Sequence, residues 1–153
     1  MTTESNEQTR KDPAQSAISA WIAVHRAHRL LIAKVESDLK SANLPALDWY
    51  DVLWELYRAG KSGLRQFEIG ERILLSKHNL SRLLDRLEAK QLLQRQLCDE
   101  DGRGYRVYIS EGGQKMLKKM WPVYSQSINE YFAKKLSEKE LSQLNAILNK
   151  VLT

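Results

Sequence analysis

The chain has 153 residues and a hydrophobic content of 42%, enough for a real core in one domain or a compact pair of lobes. Its formal charge of +5 and pI near 9.3 suit a phosphate-bearing partner, although many basic proteins bind no nucleic acid. No apolar run approaches the roughly 18 to 20 residues that span a bilayer, and no apolar signal segment follows the N-terminus, so a cytoplasmic protein is expected.

Residues 1–13 are polar and end at Pro13, which predicts a mobile leader. Residues 14–44 form the next segment. Within it Ile18, Trp21, His25, His28, Ile32, Val35 and Leu39 recur at spacings of three and four, a helical seam that needs a partner surface. A second helix follows Pro45 and carries Trp49, Tyr50, Leu53 and Trp54.

Leu64, Phe67, Ile69 and Ile73 mark a shorter amphipathic helix, and Leu74-Leu75-Ser76 leaves only a tight turn before the next one. In that next helix Leu80, Leu83, Leu84 and Leu87 make one buried face, while Lys77, His78, Ser81, Arg82 and Asp85 occupy the other. Ser76 is placed to cap the first turn, so the helix is predicted to begin at Lys77. Residues 92–97 and 105–109 then alternate partially around a glycine-rich turn, as strands of a hairpin do. At its tip Gly102 and Gly104 free the backbone on both sides of Arg103, letting the guanidinium project toward a narrow, electronegative minor groove.

Helix, tight turn, helix and basic hairpin in that order describe a winged helix-turn-helix over residues 64–110. A solvated polar face and an ordinary charged loop would explain either half alone; their succession favours the DNA-reading device. A helix lying in the major groove presents its N-terminal side chains to base edges, here Lys77, His78, Asn79, Ser81 and Arg82, with Arg86 further along. Residues 58–106 hold eleven Lys or Arg against seven Asp or Glu, so most of the net charge falls on this module.

Met116, Met120, Trp121, Tyr124, Ile128, Tyr131 and Phe132 lie along one long C-terminal helix, which Pro122 should kink unless neighbours compensate. A capping box from Ser137 to Glu140, with Leu136 stapled on Leu141, starts a last helix whose apolar face is Leu141, Leu144, Ile147, Leu148 and Val151. These terminal helices either pair with a second copy or pack back onto the winged module.

The run from Ser76 to Arg95, together with Asp101-Gly102-Arg103 and Ile109-Ser110-Glu111-Gly112-Gly113, resembles the MarR (multiple antibiotic resistance regulator) family of transcription factors. The family pattern usually has Gly where Gln91 stands, Arg where Gly102 stands and Leu-Thr where Ile109-Ser110 stands. The resemblance implies a mainly α fold with a small β-hairpin wing, in which a winged helix-turn-helix is flanked by N- and C-terminal dimerisation helices. The corresponding division is a leader over 1–13, a dimerisation helix over 14–44, a DNA-binding domain over 45–110 and dimerisation helices over 111–153. It further implies a homodimer on a pseudo-palindromic operator, a repressor in preference to an activator, with Arg103 of the wing among the DNA contacts.

The resemblance also implies a small-molecule pocket between the dimerisation helices and the DNA-reading lobe. Trp21, His25, His28, Arg29, Trp49, Tyr50 and Leu53, with Trp54, are its candidate lining, and such walls suit a planar, often anionic effector. For each of these residues a place in the core is an equal alternative. His25 and His28 share a helix face, but no third ligand is near in sequence and no metal is expected. Cys98, the only cysteine, excludes an intrachain disulfide; beside Asp99-Glu100-Asp101 it reads as an incidental thiol.

An enzyme is not expected. The chain has no phosphate-cradling Gly-rich loop, no GxSxG elbow and no HExxH, and nothing in it calls for a cofactor. The remaining rival is a winged helix used only for contact with another protein.

Overall fold

A computed structural model describes residues 11–73, 75, 77–98 and 104–153. The greater part of the predicted leader, Ser76 as a cap, and the wing tip with Gly102 and Arg103 therefore lie outside the described residues.

Helix α1 (Gln15–Ser41) stops where Asn43 takes a left-handed φ of 58°. There Leu44 N–H donates to Leu39 O (2.9 Å) and Asn43 N–H to Lys40 O (3.0 Å), the paired bonds of a Schellman ending. The Glu36 carboxylate of α1 then accepts from Leu47 N–H at 2.8 Å, capping α2 (Leu47–Ala59) from outside its own sequence. A 3₁₀ turn over Gly60–Ser62 leads to β1 (Leu64–Arg65), α3 (Gln66–Ile73), α4 (Lys77–Ala89), β2 (Leu93–Leu97) and β3 (Tyr105–Ile109). After them come α5 (Glu111–Tyr131) and α6 (Glu138–Leu152).

The sheet is antiparallel with the order β1-β3-β2, pairing Leu64 with Val107 and Leu93 with Ile109. The hairpin predicted from sequence thus supplies two strands of a three-stranded sheet, with β3 in its centre. Residues 64–65 belong to its short third strand and not to the amphipathic helix that follows. A two-residue strand has no periodicity to detect, and its position depends on Gly63, where a Cβ would lie 2.7 Å from Val107 O. Because α3 starts only at Gln66, Phe67 falls in its first turn and is 63% exposed, leaving Ile69 as the residue that anchors α3 in the core.

Helix α5 runs unbroken through Pro122. Around that position Trp121 and Tyr124 pack their rings on Tyr50 of α2, at centroid distances of 6.0 and 5.1 Å, which supplies the compensation a helical proline needs. The capping box of α6 is formed as predicted, with Ser137 Oγ accepting from Glu140 N–H and Glu140 accepting from Ser137 N–H.

The core sits where all the middle elements meet. Leu39, Leu53, Leu56, Ile69, Leu80, Leu83, Leu84, Leu87, Leu93, Val107 and Met120 are essentially sealed from water. Each contributes about 1.5–3 kcal/mol of burial, set against the entropy of ordering the chain. Asp38 ties α1 to α5, accepting from Ser127 Oγ at 2.6 Å and Tyr131 Oη at 3.1 Å. By contrast, every residue from Gln15 to Leu30 is exposed, and α6 packs extensively on no other described element. Among the described residues, no helix is long and apolar enough to cross a membrane.

Candidate nucleic-acid interface

The four leucines of α4 determine how that helix is turned. With Leu80, Leu83, Leu84 and Leu87 at most 1% exposed against α3 and the sheet, the opposite face must look outward. That face carries His78, Asn79, Arg82, Asp85 and Arg86, all exposed, with Ser81 half-buried at its edge. Lys77 is the first residue of the helix. Asn79, Arg82, Asp85 and Arg86 line a cleft of about 510 Å³, closed on one side by Leu75 and by Asp48 of α2. Six of the seven sequence-predicted contact residues are therefore carried by one helix, while Arg103 lies outside the described residues.

The C-terminal half of α4 holds two acids, Asp85 and Glu88, that would repel a phosphate backbone. Arg95 of β2 holds both. Its Nη2 donates to Asp85 Oδ1, and its Nε lies 3.4 Å from Glu88 Oε2, an electrostatic contact without hydrogen-bond alignment. The pairing does two things: it screens the acids, and it fixes the wing strand to the recognition helix. Among the described residues no acid pairs with Arg82 or Arg86, so positive charge dominates the outward face.

Sequence reasoning missed Arg95. Counting charge over residues 58–106 treats all basic residues alike, yet several are used internally. Arg58 and Arg72 bracket Glu55, Arg106 donates to Ser62 O at 3.1 Å, and Arg65 donates to Cys98 Sγ at 3.7 Å. An alternating strand with one arginine two turns of chain beyond two acids gives no sign of such a clamp.

The base of the wing is fastened with equal care. Helix α4 ends in a second Schellman arrangement, Leu92 N–H to Leu87 O and Gln91 N–H to Glu88 O, with Gln91 at a left-handed φ of 60°. Ser110 caps α5 by accepting from Gly113 N–H and donates its own hydroxyl to Gln91 O at 2.7 Å. Gly113 packs so closely on this junction that a Cβ there would lie 2.2 Å from Leu92 O.

A family model described as the MarR family matches residues 42–104. The HTH-type transcriptional regulator MhqR of Bacillus subtilis (strain 168) is 28% identical over 137 residues, covering 90% of this chain and 92% of that protein. The chain is similar to regulators of the MarR family. AbsC, a MarR family transcriptional regulator from Streptomyces coelicolor, superposes with a TM-score of 0.79 at 25% identity, over 93% of this chain and 95% of AbsC. Sco3205, a MarR family regulator of the same organism solved in complex with DNA, superposes with a TM-score of 0.84 at 19% identity, over 95% of this chain and 91% of that one, a likeness of fold. The relatives this chain matches are transcription regulators. The positive φ of Gln91 also explains why the family pattern places glycine there.

The MarR fold of this chain holds a second cleft, of about 780 Å³, between α2 and α5. Of the residues expected from sequence to line an effector pocket, Tyr50 and Trp54 border it. Leu53 is fully buried in the core and Trp49 packs against the core. Trp21 is 68% exposed with its ring 4.6 Å from that of His25, and His28 and Arg29 are exposed on the same stretch of α1, away from this cleft.

The walls of the cleft are Tyr50, Trp54 and Tyr57 from α2, facing Trp121 and Tyr124 from α5. Their spacing, three or four residues apart on each helix, is a stripe legible in the sequence. Asp51 lies between them, and burial raises its pKa from 3.8 to about 6, helped by the charges of Asp48, Glu36 and Glu55. Burial, with Asp51 beside them, also raises the hydroxyls of Tyr50 and Tyr124, which stay neutral at physiological pH.

Proposed function

We propose that the chain is a homodimeric repressor that binds a pseudo-palindromic operator and releases it when a small-molecule effector binds. The observation that carries the reading is the outward face of α4, basic and polar, set in a helix-turn-helix whose wing is locked to it through Arg95. Lys77, His78, Asn79, Ser81 and Arg82 meet base edges and adjacent phosphates, Arg86 meets the backbone, and Arg103 enters the minor groove. Dimerisation is supported by apolar surface that the single chain leaves open at both ends: Trp21, Ile22 and Leu30 on α1, and Ile147, Val151 and Leu152 on α6. The two recognition helices then reach half-sites about 34 to 36 Å apart, a spacing that a small movement of either lobe spoils. Such a regulator works in the cytoplasm, with its DNA.

Selection of bound fragments from a bacterial genomic pool, repeated over a salt series, tests this reading. Enrichment of a short inverted repeat with a steep salt slope is expected. Arg103→Ala should weaken binding to every sequence and flatten that slope, whereas Asn79→Ala or Arg82→Ala should change which bases are preferred. A folded dimer that enriches nothing at low salt would defeat the proposal in favour of a protein-binding winged helix.

A further inference from the structure

The cleft between α2 and α5 combines three features seldom found together. Its walls are five aromatic rings in one connected series: Tyr57 on Trp54 at 5.7 Å, Trp54 on Tyr50 at 6.4 Å, Tyr50 on Trp121 at 6.0 Å, and Tyr124 edge-on to both Tyr50 and Trp121. Its charge is acidic, because Asp51 stands in the field of Glu36 from α1 and Asp48 and Glu55 from α2. Finally, among the described residues nothing donates a hydrogen bond or an ion pair to the Asp51 carboxylate.

Two of the neighbouring acids are otherwise engaged. Glu36 caps α2, and Glu55 is shared between Arg58 and Arg72. From α5 the groups facing Asp51 are the Tyr124 hydroxyl, which is neutral, and Lys118, an exposed side chain at the edge of the cleft. A half-buried carboxylate without a counter-ion, walled by ring faces that carry negative potential, attracts a cation and repels an anion. The anionic effector suggested by the family resemblance would meet repulsion from both the carboxylate and the rings.

We propose that this cleft is the effector site of the chain and that it takes a flat aromatic cation, held by the aromatic walls with its positive charge against Asp51. The inference rests on the effector reading above for its regulatory meaning. It also gives a route to the DNA: α2 presents Tyr50, Asp51 and Trp54 to this cleft, and one turn earlier presents Asp48 to the cleft shared with Asn79, Arg82 and Arg86. Asp48 Oδ1 is buried there without a hydrogen-bond partner among the described residues, so a shift of α2 changes a charge that the recognition helix feels directly.

The test titrates the full-length chain at pH 7.5 with 1-methylquinolinium and, as its anionic counterpart of similar size, 2-naphthoate, following tryptophan fluorescence and heat. The cation should bind at least tenfold more tightly, and Asp51→Asn should bring the two within about twofold of each other. At pH 5, about one unit below the pKa of Asp51, cation affinity should fall about tenfold. Lys118→Gln changes an exposed residue and should strengthen cation binding two- to threefold, so the proposal stays testable if the Asp51 variant does not fold. Equal or tighter binding of naphthoate, or an unchanged ratio in both variants, would overturn it. Release of labelled operator DNA separates the two readings. A cation that meets these criteria without releasing DNA upholds the site and its ligand class while refuting the effector role; naphthoate that binds more tightly in the cleft and releases DNA upholds the effector role while refuting the ligand class.

Discussion

Helices α4 and α6 are both amphipathic, with leucine and isoleucine recurring at helical spacing, yet they end in opposite environments. The apolar face of α4 is at most 1% exposed, whereas on α6 Ile147 is 57% and Val151 78% exposed. Periodicity states that a face has to be covered. It does not state by what. For α4 the cover comes from α3 and the sheet of the same chain, and the consequence is a fixed outward face. For α6 the described residues of the same chain leave that face largely open, and the homodimer proposed above would meet the same demand with a second chain.

The sharpest way to break the α4 side of this comparison is at Gly113. A methyl group there must displace Leu92 O or the start of α5, because the ideal Cβ position is only 2.2 Å away, with Ile109 Cγ1 at 2.7 Å. Gly113→Ala is expected to cost at least about 3 kcal/mol, by analogy with overpacking and forced backbone shifts in tight interiors. Thermal unfolding followed by circular dichroism should show a loss of at least about six degrees. An unchanged melting temperature would mean that the junction of α4, β2 and α5 is looser than its geometry.

Much of the reading lobe was legible because its residues obey local rules. The leucine stripe placed α4, and the capping box at Ser137 formed as its spacing predicted. What escaped was long-range. The two residues of β1 carry no pattern, Arg95 acts across a strand and a helix, and Glu36 caps a helix eleven positions away. The candidate effector lining was half legible. The aromatic spacing on α2 and α5 showed two stripes, but only the packing of those helices set them face to face, and only burial made Asp51 an unusual acid. The first half of α1 resembles α6 in this respect: Trp21 and His25 lie on a seam that was expected to need a partner surface and that this chain alone does not bury.

A smaller effect is expected on the α6 side, and of a different kind. Ile147→Glu combined with Val151→Glu should leave unfolding of the reading lobe within about 1 kcal/mol of the parent, since neither residue is buried in the single chain. Each side chain covered in a dimer is worth about 1.5–3 kcal/mol, and a buried unpaired carboxylate costs more. Sedimentation equilibrium should therefore show dimer association weakened by at least about a hundredfold, and operator binding should fall with it. A variant that remains dimeric would place the dimer contacts on another surface.

The smallest expected change is a gain, and it sharpens the account of why the reading lobe is so well specified. Gln91 occupies the left-handed position that ends α4, and its φ of 60° is one that a side chain disfavours by about 1–2 kcal/mol. Glycine removes that strain but makes the unfolded chain more flexible, which returns part of the benefit. Gln91→Gly should therefore stabilise the fold by about 0.5–1 kcal/mol, read as a higher denaturant midpoint at unchanged slope. Because Gln91 O also accepts from Ser110 Oγ, the main-chain contact survives the substitution, and the wing should keep its angle to α4. DNA affinity is thus expected to stay within twofold of the parent. A gain in stability accompanied by lost binding would show that the strained turn sets the angle at which the wing meets the groove.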